Sequence, residues 1–176
     1  MLDGLSELWF PSIEAMRQAV ASPTYAPVAA DTPSVMTMPG IVAGTQAGRG
    51  SANALAAGDK LLLIATRAAT IDADTFAQRW DGGQIATALA GVSHAVDTFV
   101  THWESAPGIE ISREELPLDL VVELWFEDTA TLRAAARQLA DGLGDTAGHL
   151  LGDAALYRTQ THVIVDRSAA ASGAGQ

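Results

Sequence analysis

The hydrophobic positions of this chain follow two periodicities, and the same pair of patterns occurs twice. In residues 5–10 and 120–126 apolar side chains alternate with others at a period of two, which places neighbours on opposite faces of a strand. Leu8 and Phe10 point one way and Glu7 and Trp9 the other, and Leu124 and Phe126 likewise oppose Glu123 and Trp125. Each run leads into a helical stripe. Ser12 and Asp128 stand where a side-chain oxygen caps the first free N–H groups of a helix. Behind them Ile13, Met16 and Val20 recur at helical spacing, as do Leu132, Ala135, Ala136 and Leu139.

The duplication reaches residue identity. Residues 2–20 set against 118–136 agree at eight of nineteen positions, including an unbroken Glu-Leu-Trp-Phe in each copy. After each helix the chain is expected to return as a strand, near 39–45 in the first copy and at 157–166 (YRTQTHVIVD) in the second. Gly, Ala, Ser and Asn dominate the stretch between, and residues 46–59 read as a linker.

The second half holds more elements. Residues 60–67 read as an aliphatic strand, and 71–90 as a helix opened by Asp72 or Asp74 and interrupted at Gly82 and Gly83. Phe76 and Trp80 lie one turn apart on that helix. Residues 93–103 read as a second strand, with His94, Val96, Thr98, Val100 and His102 on one face, and 104–116 as a polar connection. The order from residue 60 is βαββαβ, a ferredoxin-like split βαβ. The expected fold class is therefore α+β, with antiparallel sheets packed as a dimeric α/β barrel. Residues 1–45 supply a partial repeat, βαβ, 60–166 a complete unit, and 167–176 a disordered tail. An upstream start is favoured over an incomplete first repeat.

Helices cover one face of such a sheet, and the other face must be buried too. Leu8, Phe10, Leu124 and Phe126 suit the helix side; Glu7, Trp9, Glu123 and Trp125 then face the space between sheets. A carboxylate placed there costs free energy unless it is paired, hydrogen-bonded or wetted. One reading is a structural hydrogen bond from a neighbouring strand or an Arg. The other is an acid or base in a small-molecule cavity, raised in pKa by burial, with Trp125 as an apolar wall.

Composition narrows the function. The chain has 176 residues, 48% of them hydrophobic and 18% charged, which is enough for a substantial core. A net charge of −11 with scattered basic residues argues against nucleic acid. Without cysteine there is no disulfide framework, thiolate metal site or Cys nucleophile. The first residues lack the pattern of a signal peptide, and the longest apolar run, 61–65, is too short to span a bilayer. A cytoplasmic protein is expected.

The four histidines, His94, His102, His149 and His162, are the candidate metal ligands or proton carriers. His94 and His102 on one strand stand about 27 Å apart and cannot share a metal. His162 has the placement to approach Glu123. No metal and no cofactor are expected. There is no Gly-x-Ser-x-Gly elbow, and Gly48 to Ala52 lacks phosphate-loop spacing.

The ordered set LLLIATR, FAQRW, DLVVELWFED and THVIVD across residues 60–166 resembles EthD-like proteins of the dimeric α/β-barrel superfamily. Residues 2–45 resemble the C-terminal half of the same domain. That superfamily spans proteins linked to ether degradation, cofactor-free monooxygenases, polyketide cyclases, lactone isomerases and haem-associated enzymes, so the resemblance implies a fold and a pocket rather than a reaction. Family members carry a His four positions after the Trp that corresponds to Trp80, and here that position is Gln84, an amide in place of a base. Two functions follow. One is a cofactor-independent enzyme on a small apolar or aromatic molecule, with proton transfer by Glu123, His94 or His162 and a site lined by Glu7, Trp9, Trp80, Gln84 and Trp125. The other is a non-catalytic binding or accessory protein with a degenerate pocket. A homodimer is expected in either case, because an incomplete first repeat leaves sheet edges or an apolar face uncovered.

Overall fold

Helices are interspersed among strands that pair into an antiparallel sheet, and the α+β class follows from that arrangement. The computed structural model describes residues 7–8, 10–35, 40–50, 58–81, 85, 89–106, 109–147 and 149–161. In chain order the elements are α1 (Ile13–Val20), α2 (Ala26–Val35), β1 (Ile41–Gly50), β2 (Gly58–Arg67), α3 (Ala73–Arg79), β3 (Val92–Ala106), β4 (Ile109–Glu110), β5 (Leu120–Phe126), α4 (Thr129–Ala147) and β6 (Leu151–Thr161). The strands form one sheet in the order β1-β3-β5-β2-β6, with β4 paired to β3. Among the described residues the sheet is open, with β1 and β6 at its edges, and does not close into a barrel. No described helix is long and apolar enough to cross a membrane.

The chain divides into two compact units, Met1–Ala43 with Thr101–Pro117, and Gly44–Val100 with Leu118–Gln176. In the first, the Ser12 side chain accepts from the Ala15 N–H at 3.1 Å and caps α1 as expected. The apolar stripe of α1 is only half-buried, and Arg17 on its last turn pairs with Glu110 of β4 at 2.9 Å. Sequence and structure disagree just before this helix. Glu7, Leu8 and Phe10 lie outside any strand, and Leu8 is 70% and Phe10 36% exposed instead of covered by a helix. A strand needs neighbours to complete its hydrogen bonds, and identity with 123–126 did not supply them. The helix α2 was not expected either, since Pro27 and Pro33 weaken a helical pattern that nevertheless starts with Pro27 in its first turn.

In the second unit β2 lies between β5 and β6, and β5 between β2 and β3. Cross-strand partners share a face. Leu61, Leu63 and Ala65 of β2, Leu120, Val122, Leu124 and Phe126 of β5, and Ala95 of β3 form one side of the core. The helices close it with Phe76 and Trp80 at the end of α3 and Leu132, Ala135 and Leu139 of α4. The assignment of Leu124 and Phe126 to the helix side, and of Glu123 and Trp125 to the opposite face, agrees with this register. Asp72 caps α3 by accepting from Thr75 N–H at 2.8 Å, and Asp128 caps α4 by accepting from Ala130 and Thr131 N–H at 2.8 Å each.

Boundaries moved where pairing outweighed composition. Of the expected linker, residues 46–50 are strand and 58–59 open β2; residues 51–57 lie outside the described set. Strand β6 begins at Leu151, six residues before the apolar run that suggested it. Its first residues are fixed by pairing, with Asp153 N–H donating to Thr66 Oγ1 at 2.8 Å. The helix expected to reach residue 90 is continuous only to Arg79, because Trp80 leaves helical geometry with ψ 115°. The polar connection 104–116 contains β4 and the end of β3.

Candidate functional site

Four side chains meet on the sheet face away from α3 and α4, and three adjacent strands supply them. Lys60 of β2, Trp125 of β5 and His94 of β3 lie in one row across the sheet, as direct partners in register. Glu123 stands two residues from Trp125 along β5, opposite Leu62 and Val96. The period of two in β5 is what brings Glu123 and Trp125 to the same side.

The row is tied together by charge and ring contacts. Lys60 Nζ donates a short hydrogen bond to Glu123 Oε1. The same ammonium lies 5.1 Å from the centre of the Trp125 ring, a cation–π distance. From the other flank His94 approaches Trp125 with ring centres 5.2 Å apart and planes tilted by 59°. Glu123 is 1% exposed and the Lys60 side chain 14%. An ion pair this far from water is held by its own geometry and loses much if one partner is removed.

Three polar atoms of this face are buried without a hydrogen-bond partner among the described residues: Glu123 Oε2, Trp125 Nε1 and His94 Nδ1. Buried polar groups are nearly always satisfied, and each unmade bond costs about 1–3 kcal/mol. Acceptor, donor and imidazole nitrogen together on one face therefore make a set of unused hydrogen-bonding capacity. Leu62 and Val121, also buried and on the same face by register, give it an apolar floor.

Of the residues singled out from the sequence, the structure brings together Glu123, His94 and Trp125. Trp80 lies on the opposite, helix-covered side, its ring centre 5.9 Å from that of Phe76, which in turn meets Phe99 edge-on. Glu7 belongs to the other compact unit. Trp9, Gln84 and His162 lie outside the described residues. His102 is bonded to Thr101 Oγ1 at 2.9 Å through Nδ1, and His149 is exposed. No group of three or more His, Cys, Asp or Glu with metal-site geometry occurs among the described residues.

Sequence reasoning missed Lys60. Two signals pointed to it. It precedes Leu62 and Ile64 in the alternation of β2, so it shares their face, and it is the sole lysine in a chain with nine arginines.

A second buried ion pair lies elsewhere in the same unit. Asp119 accepts from Arg67 Nη1 at 2.6 Å and from the Arg67 backbone N–H at 2.9 Å, and Arg67 Nε donates to the Ile71 carbonyl at 2.9 Å. The Asp119 backbone bonds to Ala65 and Val100. This clasp joins the entry of β5 to the end of β2 and the middle of β3, and both Asp119 carboxylate oxygens in it have a partner. At the other end of β2, Asp59 accepts from Thr129 Oγ1 and from Arg158 at 3.3 Å. The Thr129 hydrogen bond, aided by Arg158, holds the Asp59 carboxyl below its ordinary value against the opposing effect of burial. Both clusters position strands and α4.

No family model matches the chain, and no curated protein sequence matches it either.

Proposed function

We propose that residues 60–166 form a ferredoxin-like, EthD-like unit that binds a small apolar or aromatic molecule on the face carrying Lys60, Glu123, Trp125 and His94. The observation that carries this reading is the trio of buried, unpartnered atoms Glu123 Oε2, Trp125 Nε1 and His94 Nδ1 on one sheet face. A ligand with a polar group on an apolar body satisfies these atoms while keeping the face dry, the usual composition of a small-molecule site. With the two-residue β4 left aside, the four strands from Gly58 lie in the spatial order fourth-first-third-second, which supports the ferredoxin-like assignment.

Two versions of this function differ in what Glu123 does. In a cofactor-independent enzyme Glu123 and His94 move protons on the bound molecule. In a binding or accessory protein they only orient it. Gln84, where the resemblance places a His, favours the accessory version. The open oxygen of Glu123, on the face that also carries His94, favours the catalytic one.

The open edges of β1 and β6 support a homodimer, in which a second copy covers unpaired strand groups. A cytoplasmic location is proposed with it, on the absence of cysteine.

Thermal-shift screening of small neutral aromatics and aliphatic carbonyl compounds tests the binding reading. A ligand bound only by the native state raises the melting temperature with concentration. Light scattering on the same samples reads the mass, and a monomer at all concentrations removes the dimer. If no compound stabilises the native chain, the face is structural.

A further inference from the structure

We infer that Lys60 is an imine-forming residue, whose amine condenses with the carbonyl group of a small apolar aldehyde or ketone bound on this face. The inference rests on the binding reading above and deepens it by naming the ligand class and the bond.

Lysine usage is the first argument. The chain has one lysine and nine arginines. Three other ion pairs, Arg17 with Glu110, Arg67 with Asp119 and Arg158 with Asp59, use arginine. A guanidinium matches a carboxylate with two parallel hydrogen bonds and is the stronger structural partner for a buried acid. Yet the most buried carboxylate of the set, Glu123, is paired with the chain's only primary amine on a side chain. An amine does what a guanidinium does not: it adds to carbonyl carbon.

Placement is the second argument. Imines hydrolyse in water, and Lys60 is largely withdrawn from it, over the Trp125 ring and beside Leu62. Glu123 is in direct hydrogen-bond contact with the amine that must lose a proton. Its second oxygen is unoccupied.

The steps balance without a further reactant. The Lys60 ammonium passes one proton to Glu123, leaving a neutral amine and a neutral acid. The nitrogen lone pair forms a C–N bond as the carbonyl π bond opens onto oxygen. A proton moves from the nitrogen to that oxygen and gives a carbinolamine. Glu123 then protonates the hydroxyl, the C–O bond breaks, and water leaves. The products are a protonated imine on Lys60, paired with the regenerated Glu123 carboxylate, and one water. Trp125 Nε1–H is the available donor for the oxygen as charge develops on it.

Reductive trapping tests this. The full chain is incubated with benzaldehyde and sodium cyanoborohydride, and the benzylated sites are mapped by peptide mass spectrometry. Lys60 competes with the chain's α-amine, and urea-unfolded protein gives the intrinsic reactivity of both. The expected result is saturable labelling at Lys60, at least about tenfold faster in the folded than in the unfolded chain, the order of gain that positioning supplies. Labelling at Lys60 falls toward the unfolded rate in Glu123→Gln, which keeps the shape and lacks the proton acceptor. Preferential labelling of the α-amine in the folded chain overturns the inference. If Lys60 is not preferentially labelled and benzaldehyde without reductant nevertheless raises the melting temperature, the imine fails and the binding site stands. If it neither stabilises nor labels, both fail for this ligand class.

Discussion

Lys60 reaches diagonally across the β2–β5 pair to Glu123, while its direct cross-strand partner, Trp125, lies beneath its ammonium group. The ion pair and the ring contact thus share one nitrogen, and removing any of the three groups changes the surroundings of the other two.

The energetic consequence is asymmetric. Glu123→Leu leaves a largely buried ammonium without its counter-charge and is expected to destabilise the fold by about 3–5 kcal/mol. Adding Lys60→Met restores most of that loss, because an apolar pair of similar volume needs no neutralisation. Urea unfolding of the two variants measures the difference. A double variant as unstable as the single one contradicts the account.

The Arg67–Asp119 clasp is expected to be structural throughout. Asp119→Ala strips acceptors from the Arg67 guanidinium and from a backbone N–H, at a cost of about 3 kcal/mol. Ligand-induced shifts in melting temperature persist in any folded fraction, since the clasp is separate from the Lys60 row. Loss of ligand response at unchanged stability points to a different role.

Acid sensitivity has an assigned source. Hydrogen bonds from Thr75 hold Asp72 below the ordinary carboxylate value, and those from Thr131 do the same for Asp128. A carboxyl depressed in the native state contributes stability that is fully present above its unfolded pKa of about 3.9, and lost as pH falls through the lower native value. The double variant Asp72→Asn, Asp128→Asn keeps both caps with side chains that do not titrate. Its unfolding free energy, measured in urea across the acid range, is expected to decline less steeply than that of the parent. Identical slopes place the sensitivity elsewhere, for instance at Asp59.

Gly91 enters β3 at φ +77°, a conformation in which a side chain is strained, and a Cβ there meets Thr131 Cβ at 3.0 Å. Gly91→Ala is expected to cost about 1–2 kcal/mol. Adding Thr131→Ser removes only the methyl contact at 3.1 Å, leaves the Cβ contact and the backbone strain, and recovers a minor part of the loss. Full recovery, read from urea midpoints, argues against backbone strain.

Much of the unit from β2 onward was legible because its strands alternate cleanly and its helices open on strong caps. The span of β5 and the caps Ser12 and Asp128 were read correctly for that reason, and Asp72 was one of the two caps considered for its helix. So was the division of β5 into a Leu–Phe face and a Glu–Trp face. The first copy of Glu-Leu-Trp-Phe misled, since residue identity carries no information about whether a neighbouring strand is present. Strands β1 and β6 were found in part, at 41–45 and 157–161, and extended beyond the expected bounds because Gly-rich and Ala-rich segments gain strand structure from their partners rather than from their own side chains. At the site, His94, Glu123 and Trp125 were reachable by parity alone. Lys60 was hidden by its position at the edge of an aliphatic run, although its singularity in the composition was in plain view.

The central claim is that a small molecule binds beside Trp125 and not beside Trp80. Indole ¹⁵N–¹H spectra of the assigned tryptophans, recorded while titrating a stabilising ligand from the thermal-shift screen, test it most directly. The account predicts a saturable shift of the Trp125 Nε1–H resonance, with Trp80, on the opposite face of the sheet, little changed. Movement of Trp80 with Trp125 unmoved contradicts it.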